Sequence, residues 1–201
     1  MFIWHIVRNG CLCCAFLAAV SVVGSSQTSA VAPVAVSPAS PADAAIVKDF
    51  YARVSNYLDL RKKEAGSSPK PTNSAVKLAE SKNEMAEKTQ TARAEAKQGD
   101  IFTPEIAAYF RKRITAALAG PQGAKIRSSL RHAEPLHSMD LHVNQKYPDG
   151  LPFQSVPPTL LLNLPRLPKE LEYRIVGRDL ALHDIATNII VDFIPGAVPS
   201  S

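Results

Sequence analysis

The sequence predicts an α+β fold, with about four N-terminal helices followed by a small antiparallel β-meander. Three observations carry that prediction. Apolar residues recur at steps of three and four between residues 43 and 134, the repeat of a helix face. From residue 135 onward prolines crowd the chain, at 135, 148, 152, 157, 158, 165 and 168. Alternation of period two then runs from Leu171 to Phe193, as in strands that bury one face.

The N-terminus reads as an export signal. Arg8 and an acid-free start lead into the apolar run Cys11 to Gly24, and Thr28-Ser29-Ala30 offers the small residue, any residue, small residue pattern that a signal peptidase accepts. Residues 1–30 are therefore expected to be removed, with Ala32 as the next choice of cleavage site. The apolar run falls short of the roughly 20 residues that span a bilayer core. An uncleaved anchor would have to recruit Ile3, Trp4, Ile6 and Val7 across the charge of Arg8. The expected location is the periplasm or the exterior, with the mature chain not spanning a membrane. Residues 31–42, built from Ala, Val, Pro and Ser without charge, read as a linker.

Cys11, Cys13 and Cys14 are the only cysteines, so the mature chain is expected to hold none, which excludes disulfides and thiol nucleophiles. The signal also removes one base and no acid from a formal charge of +5. The remaining mild basicity suits weak attraction to anionic lipid or polysaccharide and falls short of a nucleic-acid-binding signature.

Residues 43–134 read as the helical region. Ser40 is placed to cap a first helix, with Pro41 in its first turn and Asp43 at the positive end of its dipole. Ile46, Val47, Phe50, Tyr51, Val54, Tyr57 and Leu58 form its apolar face, Arg61-Lys62-Lys63 its cationic last turns and Gly66 its stop. Ser74 to Gln98 is predicted helical from its Ala, Glu, Lys and Gln content, with only Val76, Leu78 and Met85 as a thin apolar stripe. Thr103-Pro104-Glu105 starts a third helix lined by Ile106, Phe110, Ile114, Ala117 and Leu118 and stopped at Gly120-Pro121. A shorter fourth carries Ile126 and Leu130.

Residues 135–201 read as a proline-rich loop and meander, packed with the helices as one domain. Leu171 to Ile175, Leu180 to Leu182 and Ile189 to Phe193 are the expected strands, joined by turns at Gly177-Arg178 and Ile185 to Asn188. Thr159 to Leu164 is expected as a further strand.

Two stretches, Lys97-Gln-Gly-Asp-Ile-Phe-Thr-Pro104 and Leu164 to Asp179, resemble a family of uncharacterised exported bacterial proteins, a likeness that covers most of the mature chain and implies no activity. Tyr173 to Asp192 is also similar to the C-terminal meander of periplasmic nickel and cobalt homeostasis proteins. That second resemblance implies the fold of the C-terminus more than a role.

For metal, His132, His137, Asp140 and His142 are the one clustering of ligating types, with His137, Asp140 and His142 the expected set for a divalent transition metal. On a strand Asp140 and His142 would share a face while His137 points away, and the plainer reading is solvent-exposed loop histidines. His183-Asp184 reads as an exposed edge or turn pair. Ser138 with His142 and Asp140 can be written as a hydrolytic triad, without a nucleophile elbow or an oxyanion loop to support it. Arg174, Arg178 and Asp179 form a polar group at the glycine turn, able to engage a ligand or, more plainly, to pair with one another and fix the hairpin. Arg111-Lys112-Arg113 reads as a solvated helix face or an anionic-surface contact, and Asp100 as an acid bonding its own loop.

The expectation is thus an exported, non-catalytic interaction or envelope-associated module without a cofactor, whose partner is an envelope protein or an anionic surface. Open sheet edges would offer a partner strand its place. A periplasmic metal-handling protein is the alternative, and a hydrolase with an unrecognised site the third reading.

Overall fold

The computed structural model describes residues 40–132, 139–148, 150 and 154–199, so the predicted signal and nearly all of the linker lie outside the described residues. Helix α1 (Pro41–Ala65) begins where the caps predict: the Ser40 hydroxyl accepts the Asp43 N–H at 3.1 Å, and Gly66 closes the helix at φ 88°. The last two residues of the predicted linker are therefore helical, because proline fits a first turn whose N–H groups lack partners. Phe50, Val54, Tyr57 and Arg61 are the buried face of α1.

Helix α2 (Ala75–Ala92) is capped by Ser74 and stops six residues before the predicted Gln98. Thr89 and Thr91 turn their hydroxyls back onto the carbonyls of Met85 and Glu87. Arg93 leaves the helix to lay its guanidinium 5.0 Å from the centre of the Tyr57 ring and to donate to the Val191 carbonyl. The predicted stripe is also corrected: Val76 and Leu78 are exposed, and Met85, Ala86 and Thr89 are buried.

Helix α3 (Pro104–Ala119), capped by Thr103, buries Ile106, Phe110 and Ile114 as its apolar steps predict, and α4 (Gly123–His132) follows. Gly123 is required by close approach, since a Cβ there would stand 1.8 Å from the Leu118 carbonyl oxygen.

The predicted strand from Thr159 to Leu164 is instead a single helical turn, α5 (Pro158–Leu161), preceded by the two-residue strand β1 (Gln154–Ser155). Pro157 and Pro158 pre-set the turn, and Leu160 and Leu164, four apart, are the leucines that go inside.

Strands β2 (Leu171–Val176), β3 (Asp179–Asp184) and β4 (Ile189–Ile194) form the predicted meander, extended by β1 into one antiparallel sheet of order β1-β2-β3-β4. Gly177 has φ 61° and Arg178 does not have a positive φ, the signature of a two-residue turn that takes glycine first. A bulge between Leu182 and His183 shifts the register against β4.

One face of the sheet packs on the helices, where Phe50, Phe102, Phe110 and Tyr173 stack and meet edge to face at 5.1–5.8 Å. The other is also covered: Leu141, Tyr147, Val176, Ala181 and Ile190 form a second, smaller core. Alternation along β3 consequently does not mark a solvent face. The outer edge of β4 is occupied at its start by residues 144–147, which bond to Asn188 and Ile190, so the expected open edge is closed there. Among the described residues no helix is long and apolar enough to cross a membrane.

Candidate functional site

The residues singled out in the sequence do not converge. Arg174 pairs with Glu172 at 2.7 Å and donates to the Ser155 hydroxyl. Arg178 Nε donates to the Val198 carbonyl, and Asp179 accepts the Gly196 N–H. The three were expected to engage a ligand or, more plainly, to pair with one another; Arg174 bonds Glu172 and Ser155, while Arg178 and Asp179 both fasten the C-terminal residues 196–198, which return past the hairpin and supply donors and acceptors.

His137 and Ser138 lie outside the described residues. Asp140 and His142 flank the buried Leu141 and are both exposed, and among the described residues no three His, Cys, Asp or Glu side chains gather. The basic cluster is split: Arg111 donates to the Pro195 carbonyl and Arg113 to that of Asn163, leaving Lys112 exposed. Asp100 accepts the Lys97 N–H within its own loop, as expected.

His183 and Asp184 are the clearest correction, for both are buried, at 5% and 0% exposure. Asp184 accepts the Tyr57 hydroxyl at 2.6 Å, both its oxygens lie 2.9 Å from Arg61 Nη1, and it receives the N–H groups of Ala186 and Thr187. Arg61, itself 2% exposed, passes its other nitrogen to the Ser67 carbonyl. Burial first, then the Asp184 carboxylate, pushes the Tyr57 phenol well above its ordinary range. His183 is held between Glu172 and Asn188 at 2.9 Å on either ring nitrogen. These contacts lock α1 to the turn after β3 and leave the carboxylate enclosed rather than facing a cleft.

Asp192 is a second buried acid, accepting N–H groups from Gly99, Ile101, Phe102 and Phe193 at 2.8–3.1 Å. Burial raises its carboxyl above the ordinary value, against the pull of those four donors. Its work is to hold the loop that feeds α3.

What faces solvent in a binding-competent way is apolar. Leu161 and Leu162 stand out from the end of α5 at 39% and 78% exposure, against a background of core leucines below 10%. Behind them lies an open groove of about 560 Å³ with Val156, Leu164, Leu171 and Tyr173 in its wall and Arg166 at its rim. The frame is stiff: α5 begins at Pro158, Pro165 follows, and the Tyr173 hydroxyl donates to the Pro165 carbonyl. Arg166 and Lys169 on the same loop are exposed. Three consecutive leucines in a proline frame were the signal for this, since one turn of helix turns inward only one of them.

No family model, curated protein or solved structure matches this chain.

Proposed function

We propose that the chain is an exported, non-catalytic, envelope-associated module that docks reversibly on an anionic membrane surface through Leu161 and Leu162. The observation that carries this reading is the pair of exposed leucines held on a proline-braced turn, with Arg166 and Lys169 exposed on the loop that follows. The export-like N-terminus, the mild positive charge and the likeness to exported proteins support it, and the enclosure of Asp184 and Asp192 takes the buried acids out of contention for chemistry on a substrate.

Burying a leucine yields about 1.5–3 kcal/mol, and a cation near an anionic surface about 1 kcal/mol. Two partly inserted leucines and two cations therefore supply roughly 4–6 kcal/mol, a dissociation constant of about 0.04–1 mM in accessible lipid. That is a reversible contact, not an anchor.

Flotation of the purified chain with vesicles containing phosphatidylglycerol tests it. Co-flotation that falls with salt, is absent on neutral vesicles and is lost in Leu161→Ser/Leu162→Ser is the expected result. Equal flotation of the variant, or none at all on anionic vesicles, refutes the docking face.

A further inference from the structure

A second groove, of about 600 Å³, opens at the far end of α3, between α4 and the hairpin at Gly177. Its size lies within the roughly 300–1,000 Å³ of small-molecule sites. Leu118, Leu130, Ile175 and Val198 supply an apolar wall, and three arginines, 127, 131 and 178, stand around it. All three are exposed, and no acid lines the groove among the described residues.

The arginines are not equivalent. Arg127 donates to the Leu118 carbonyl, so its charge offsets the negative end of α3, which would otherwise repel an anion at this place. Arg178 gives only Nε to Val198, which fixes the side chain and leaves its two terminal nitrogens for a ligand. Arg131 has no partner among the described residues. Two guanidiniums are thus available at the mouth of an apolar trough, and the fork geometry of guanidinium matches carboxylate and phosphate oxygens.

Part of the main chain along the groove is already committed. Gln154 is paired with Ile175, the Val198 N–H bonds to the Arg178 carbonyl, and the Gly120 N–H caps α3. A ligand that needs only an apolar wall and a cationic mouth is served here without main-chain pairing.

We infer that this groove binds a small amphiphile with a single anionic headgroup, a carboxylate or a phosphate monoester, held by Arg131 and Arg178, with its apolar tail along Leu118, Leu130 and Ile175. The site is separate from Leu161 and Leu162 and stands or falls independently of membrane docking.

Calorimetric titration with dodecanoate, dodecyl phosphate and the uncharged dodecyl glucoside, each below its micelle concentration, tests it on the whole exported chain. Binding of either anion with a dissociation constant near or below ~50 μM, at least ~10-fold tighter than the glucoside, is expected. The tighter of the two anions identifies a fatty acid or a phospholipid-like source. Arg131→Gln should weaken binding by about 5-fold or more, and Thr115→Trp, which fills the mouth from an exposed position, should abolish it. Both variants should keep the melting temperature of the parent, and both should still float with anionic vesicles. The inference is overturned if neither anion binds below ~1 mM, if the glucoside binds equally well, or if Arg131→Gln leaves the affinity unchanged.

Discussion

Asp184→Asn is the perturbation that most directly interrogates the interior. The substitution keeps the shape, removes the charge and replaces one acceptor oxygen by a donor. Asp184 takes five hydrogen bonds, two of them from Arg61, and Arg61 is 2% exposed. The guanidinium is left in the interior without its anion, a loss of about 3–5 kcal/mol for one partner of a buried pair. Against a total of roughly 5–15 kcal/mol for a domain, that is about a fifth or more of its stability. With a urea slope near 2 kcal/mol/M, the unfolding midpoint should fall by about 1.5–2.5 M. Arg61→Met should cost a similar amount, and Arg61→Met/Asp184→Asn less than the sum, with a coupling of at least ~2 kcal/mol. Equilibrium urea unfolding followed by circular dichroism measures all three. A midpoint shift under ~0.5 M for Asp184→Asn, or strict additivity, would refute the reasoning.

Asp192 makes a signed prediction about pH: its folded carboxyl is raised, so its contribution to stability is present below about pH 3.8 and is lost as pH rises through the folded value. Wild-type stability minus that of Asp192→Asn should therefore fall as pH rises from 4, and a flat or rising difference in urea midpoints contradicts it. Gly123→Ala should cost about 1–3 kcal/mol, because its Cβ would drive α4 away from the Leu118 carbonyl; an unchanged melting temperature would show that the two helices yield freely. Thr103→Ala should cost near 0.5–1 kcal/mol, toward the low end for a cap because its bond to the Ile106 N–H is long at 3.4 Å; a loss above ~2 kcal/mol would mean that Thr103 does more than cap.

The elements that were legible in the sequence are those whose causes are local. Ser40, Ser74 and Thr103 each act on an N–H three residues on, and the starts of three helices follow from them. The features that escaped have partners far along the chain. The end of α2 is set by Arg93 reaching Val191, 98 residues away, and no window of sequence around Ala92 contains that reason. Arg61 reads as one of three last-turn cations, yet it continues the spacing of Phe50, Val54 and Tyr57, and a charge on an apolar stripe calls for a buried partner. Asp192 inside Ile189-Ile-Val-Asp-Phe-Ile carries the same signal from the other side. His183 and Asp184 read as an exposed edge or turn pair because their partners lie elsewhere in the chain: Asp184 is enclosed by Tyr57 and Arg61 of α1, and His183 is held by Glu172 on the neighbouring strand and by Asn188. The apolar run at Leu160 is ambiguous between strand and helical turn by its nature, and Pro157-Pro158 decided it.

The link from Arg61 to Asp184 spans 123 residues, and the Asp192 bonds to Gly99 and Phe102 span 93 and 90. These two fastenings of the helical half therefore reside in β3 and β4, the last two strands of the sheet. A truncation ending before residue 184 leaves Arg61 without its counter-ion and the loop before α3 without the carboxylate that holds it. Closure of the helical half onto the sheet is accordingly a long-range event, made of contacts far apart in sequence, and such contacts slow folding.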